Sequence, residues 1–160
     1  MGAQYVGLDT LLAQSDHLVL VLPYTQASHH IIDAAALAKM RPTATLVNIA
    51  RGGIVDEIAL ADALANGRLA GAGLDVYEGE PRVRPELLAQ HNVVLTPHIG
   101  SASLATRRAM VQLAVDNLIA ALGVGANAGH PPSALNADAV AAAKRGGATV
   151  GATKTAATKR

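Results

Sequence analysis

Residues 44–76, ATLVNIARGGIVDEIALADALANGRLAGAGLDV, decide how this chain folds. The segment opens on ATLVNIA (44–50), an apolar run with the length of a buried strand. VDEIALADALANG (55–67) then repeats its apolar residues at helical spacing and closes on Gly67, a residue suited to the left-handed turn that ends a helix. AGAGLDV (70–76) is a second short apolar run. Strand, crossover helix and strand is the unit of a parallel sheet. Working outward, HLVLVLP (17–23) and NVVLTP (92–97) read as two more strands. LDTLLAQS (8–15) reads as a helix, with Leu8, Leu11 and Leu12 on one face. IIDAAALAKM (31–40) reads as another, with Asp33 as N-cap and Pro42 as its stop. Four strands alternating with helices predict an α/β fold in which a parallel sheet is covered on both faces.

Downstream, Ser101 or Ser103 is placed to cap a long helix over LATRRAMVQLAVDNLIAALG, ended by Gly123. A segment rich in Gly, Pro and Asn follows, and then a basic tail over 138–160 that has no Leu or Ile and reads as disordered. The sequence thus divides into a fold-bearing part (1–103), a helix with its following segment (104–137) and the tail.

The chain has 160 residues and a net charge of +1, the sum of −3 over residues 1–137 and +4 over the tail. There is no Cys, Phe or Trp. The core must therefore be built from Ala, Val, Leu and Ile, and thiolate metal sites and Cys nucleophiles are excluded. With no basic stripe and three Tyr, the body lacks both the phosphate-neutralising footprint and the stacking platform of a nucleic-acid binder. The longest apolar run is far too short to span a bilayer. No membrane or nucleic-acid partner is expected, and the default location is the cytoplasm. His29 and His30 read as a solvent-facing pair, and no spacing of His, Asp and Glu suggests a closed metal-ligand set.

Ligands of parallel sheets bind beyond the carboxyl ends of the strands. Three strands deliver polar residues there: Arg51, followed by Gly52 and Gly53; Asp75, Glu78 and Glu80; and His98, after Pro97 and before Gly100. The two glycines are expected to let the backbone turn tightly and approach a ligand. Arg offers a rigid fork of donors that grips a carboxylate at two points. A His beside a carboxylate holds its proton more firmly. An imidazolium aimed at a carbonyl oxygen, beside an Arg gripping the neighbouring carboxylate, is the equipment needed to reduce a 2-oxo acid.

VNIARGGIVDE (47–57), GLDVYEGEP (73–81) and TPHIGSAS (96–103) together resemble the D-isomer-specific 2-hydroxyacid dehydrogenases. The likeness is to the second half of their nucleotide-binding domain and covers about residues 5–136. It implies a Rossmann-type domain truncated at its N-terminal side. By that resemblance Arg51 binds the substrate carboxylate and carbonyl, His98 is the acid/base and Glu80 is its carboxylate partner. Asp75 would contact the nicotinamide carboxamide of NAD or NADP, with Ile49, Ala50, Ile99, Gly100 and Ser101 lining the ring's site. LPYT (22–25) resembles the segment that passes the adenosine side, which puts Pro23 in the cofactor set. Glu80 argues against the formate dehydrogenases, which resemble this chain but place Gln there. The likeness is strongest to reductases of glyoxylate, hydroxypyruvate or 2-ketogluconate, with phosphoglycerate dehydrogenases next. It implies a small 2-oxo or 2-hydroxy acid as substrate and a homodimer for the full-length enzyme. The G-x-G-x-x-G turn, the strands around it and the substrate domain of that family are absent from the 160 residues. Two alternatives therefore stand beside the reductase: an inactive fragment, or a partner-binding domain of the same fold.

Overall fold

The computed structural model describes residues 2–138. The basic tail, expected to be disordered, lies outside the described residues from 139 onward. The chain divides into two compact units at the boundary between Ser103 and Leu104.

In the first unit four parallel strands, β1 (His17–Leu20), β2 (Thr45–Asn48), β3 (Gly71–Leu74) and β4 (Val93–Leu95), pair in sequence order. Val19, Val47, Gly73 and Val94 stand in one row across the sheet. α1 (Leu8–Gln14) precedes β1, and α2 (Ala34–Lys39), α3 (Glu57–Ala65) and the single turn α4 (Pro85–Leu88) lie in the crossovers between strands. The caps expected at Asp33 and Gly67 are present, and Asp56 adds one that the sequence reading did not name. The Asp33 carboxylate accepts the Ala36 amide at 2.8 Å. Gly67 follows α3 at φ +63°, in the left-handed region. Asp56 caps α3 by accepting the amides of Ile58 and Ala59. α4 and the short 3-10 turn Gly52–Ile54 were not legible as elements, because neither is long enough to show a period.

The expectation of a sheet covered on both faces needs correction for this unit. Each helix contacts the next, α1 with α2, α2 with α3 and α3 with α4, so the four form one layer. With strand order 1-2-3-4 there is no reversal, and every right-handed crossover returns on the same side. The core lies between that layer and one sheet face: Leu18, Leu20, Leu46, Ala72 and Leu74 from the strands meet Leu12, Leu37, Leu60, Leu64 and Leu87 from the helices. On the opposite face Val19 and Val94 are 50% and 68% exposed.

The second unit contains α5 (Leu104–Ala121). Asn117 binds Ser133 through both ends of its amide, donating to the hydroxyl and accepting the backbone N–H, so the one Asn in the apolar pattern fastens the following segment to the helix. Among the described residues no helix is long and apolar enough to cross a membrane.

Candidate active site

The polar residues of the strand ends gather at the carboxyl edge of the sheet. β4 runs into Thr96-Pro97-His98, and His98 takes φ +51°, a conformation uncommon outside glycine. Its amide donates to the Thr96 carbonyl at 3.0 Å. The turn is held from the β3 side by Asp75, whose carboxylate accepts the amides of Ile99 and Gly100, each at 2.8 Å, and the Thr96 hydroxyl at 2.5 Å. The Thr96 hydroxyl and then these amides hold the Asp75 carboxyl below the usual carboxylate range. Backbone strain persists only where surrounding contacts over-determine it, and Asp75 supplies such contacts.

The His98 ring is fixed by Glu80. Nδ1 lies 2.7 Å from Glu80 Oε2, while Glu80 Oε1 accepts the Tyr77 amide at 2.9 Å. The hydrogen bond with His98 is the largest influence on Glu80 and holds its carboxyl below the usual range; partial burial opposes this, and the Tyr77 amide and the Arg51 charge assist it. With Nδ1 on the carboxylate, Nε2 is the ring atom left to face a ligand.

Arg51 is exposed and, among the described residues, its guanidinium donates to the neighbouring Ala50 carbonyl at 2.6 Å. It opens into a cavity of about 880 Å³ with Val21, Pro23, Ile49 and Ala50 on its walls. Val21 and Ile49 are 75% and 54% exposed. An apolar ledge at the strand ends beside a guanidinium suits a flat heteroaromatic ring, so the residues present fit the nicotinamide end of a dinucleotide. The sequence has no glycine-rich turn for the pyrophosphate.

The contacts add to the sequence reading. Gly52 and Gly53 line the cavity beside Arg51, and their backbones also approach protein closely: a Cβ on Gly52 would lie 1.9 Å from the Tyr77 carbonyl carbon, and one on Gly53 would lie 2.8 Å from the Tyr24 ring. Glu78 does not join His98; its carboxylate binds His30 Nε2 at 2.6 Å and Arg84 at 3.2 Å. Burial acts against the charge of Glu78, yet these two donors outweigh it and keep the carboxyl below its ordinary range. Nor is His30 merely solvent-facing, and His29, His30 and Glu78 each place one ligand-capable atom within 4.8 Å of the others. The two rings stack 3.9 Å apart with 24° between their planes.

Sequence reading missed Glu57 and Tyr77. Glu57 is buried at the start of α3 and accepts the Glu78 amide at 2.6 Å. Burial raises its carboxyl, with that amide and Arg84 pulling the other way. The Tyr77 hydroxyl donates to the carbonyls of Leu74 and Thr96, pinning the loop after β3 to the end of β4. Burial, reinforced by Asp75, raises the phenol. The signal for Glu57 was an acid directly after a capping Asp.

A parallel sheet that presents a prepared imidazole and a waiting guanidinium on an apolar ledge defines a Rossmann-type nucleotide-binding domain of the dehydrogenase kind. Residues 1–100 match the family model described as D-isomer specific 2-hydroxyacid dehydrogenase, NAD binding domain. The chain belongs to that family. It is 47% identical over 146 residues to a glyoxylate reductase of Thermococcus onnurineus, covering 91% of this chain and 42% of that protein. It is 57% identical over 121 residues to glyoxylate/hydroxypyruvate reductase B of Erwinia tasmaniensis, covering 75% and 38%. Among solved structures, an NADPH-dependent glyoxylate/hydroxypyruvate reductase of Sinorhizobium meliloti, in complex with NADP and malonate, superposes with a TM-score of 0.73 at 40% identity over 84% of this chain and 44% of that one. The chain thus spans about two fifths of the length of the relatives it matches.

Proposed function

We propose that this chain supplies the proton-handling and acid-gripping half of an NAD(P)-dependent reductase for small 2-oxo acids, glyoxylate or hydroxypyruvate foremost. The observation that carries the reading is the His98 Nδ1 to Glu80 Oε2 contact of 2.7 Å, with Arg51 close enough to act on the same carboxylate. The reductases among its relatives support it.

Arg51 grips the substrate carboxylate with two parallel N–H donors and faces the adjacent carbonyl oxygen with positive charge. A bound nicotinamide dinucleotide would supply the hydride that the carbonyl carbon accepts. His98 hands the Nε2 proton to the carbonyl oxygen, which becomes the product hydroxyl. Glu80 stays ionised throughout and stabilises the imidazolium before transfer, keeping the ring in one orientation. Asp75 keeps the 98–100 turn in place, Ile49, Ala50, Ile99, Gly100 and Ser101 form the wall that the nicotinamide ring would meet, and Pro23 lies toward the adenosine side. Proton transfer from a positioned group is worth about 10²–10⁴ in rate.

A chimera tests the proposal: residues 5–136 replace the corresponding segment of the Sinorhizobium meliloti reductase, and reduction of glyoxylate and hydroxypyruvate is followed with NADPH. Turnover of either acid is expected. A folded chimera that reduces neither would overturn the assignment. The 160 residues assayed alone are expected to be inactive, because the glycine-rich dinucleotide anchor is not among them.

A further inference from the structure

We infer that Glu57 is a positioning residue for the Glu80–His98 pair, its buried carboxylate fastening the loop after β2, which carries Arg51, to the loop after β3, which carries Glu80. The inference rests on the proposed function for the meaning of that pair. The fastening itself is a matter of contacts.

Two successive amides do the linking. The Glu78 N–H donates to Glu57 Oε1 at 2.6 Å, and the preceding Tyr77 N–H donates to Glu80 Oε1 at 2.9 Å. The peptide between Tyr77 and Glu78 is also pressed from the β2 side by Gly52, where an added Cβ would sit 2.2 Å from the Glu78 nitrogen. Gly52 and Glu57 therefore hold one peptide from the same segment, and that peptide constrains the direction of the preceding amide, the one that orients Glu80. The Glu57 side chain is 3% exposed, and its Oε2 lies 3.4 Å from Arg84 Nε. Among the described residues that Nε is buried without a hydrogen bond of ordinary geometry, and the guanidinium favours the charged form of Glu57. The charged and titratable groups facing Glu57 are Arg84, Glu78 and the Tyr77 phenol, and His30 lies behind Glu78. Glu80 is faced by His98, Arg51 and Tyr77. Removing the Glu57 carboxylate leaves the part-buried Glu78 N–H without this acceptor, and the loop is expected to move to satisfy it.

The test follows the side-chain carboxyl carbon of Glu80 by ¹³C NMR across pH in the isotopically labelled 160-residue chain, with E57A, E57Q and D56A. In the parent, Glu80 is expected to titrate below the ordinary carboxylate range. E57A is expected to move that midpoint upward and to shift the Glu78 amide proton upfield. E57Q keeps an acceptor oxygen and loses the charge, so it moves both in the same directions by less. D56A removes the cap of α3 without touching Glu78, and it is expected to leave Glu80 where it was; a merely structural role for Glu57 would make the Asp56 and Glu57 variants alike. An unmoved Glu80 in E57Q overturns the positioning role even if E57A fails to fold, and so does an equal movement in D56A. An ordinary midpoint in the parent instead overturns the Glu80–His98 pairing, and with it the functional reading.

Discussion

The two nitrogen-donor corners of the proposed site are built in opposite ways. His98 is held by Glu80 at its ring, by Asp75 through the two following amides, and by its own amide on Thr96. Arg51, two strand ends away, reaches only the carbonyl of the residue before it among the described residues. A proton donor must sit within a few tenths of an ångström of its working position, so its supports are built into the protein. An anion-gripping fork needs its donors uncommitted until the anion arrives, because donors already bound to a carboxylate would have to exchange one partner for another. The contrast accounts for the uneven distribution of hydrogen bonds along one sheet edge.

Substitutions in the chimera break the contrast at successively gentler points. His98→Ala removes the prepared corner and is expected to lower kcat about 10³-fold in a steady-state assay, within the range for a general acid. Gly52→Ala attacks the seam between the corners: its Cβ has 1.9 Å to the Tyr77 carbonyl carbon, and chemical denaturation should show a loss of about 3 kcal/mol, at the upper end for overpacking. Arg51→Ala empties the waiting corner and is expected to lower kcat/KM about 100-fold through lost charge-assisted hydrogen bonds to the substrate. Asp75→Asn leaves one oxygen where two served three donors, and loosening of the His98 turn should cost about tenfold in kcat with KM nearly unchanged.

What the sequence made legible follows from how local each feature is. Asp33 as a cap, Gly67 as a stop and the four apolar strands are each decided within a few residues, and the structure places them as expected. His98, Glu80 and Arg51 could be proposed from the sequence because each lies in the loop after a strand, where a parallel sheet presents its ligands. Features joining distant segments were not visible. Glu78 reads as a rim carboxylate until the chain folds His30 against it from 48 residues away. Gly52 reads only as room for a ligand until Tyr77 arrives from the next strand end. The one-sided helix layer depends on strand order, which no single window of sequence contains.

The account's central claim is that Glu80 is an ionised partner that prepares His98. It is tested most directly by the acid limb of the chimera's pH–rate profile, with initial rates taken within seconds of a pH jump. Because the hydrogen bond with His98 lowers the Glu80 carboxyl from its ordinary value of 4.5, the tie is present above that lowered value and is lost as pH falls through it. The parent chimera is predicted to keep its rate down to below the ordinary carboxylate range and then to lose it. Glu80→Gln is predicted to be slower at every pH and to lack that limb. An acid limb of the same position and shape in Glu80→Gln would contradict the account.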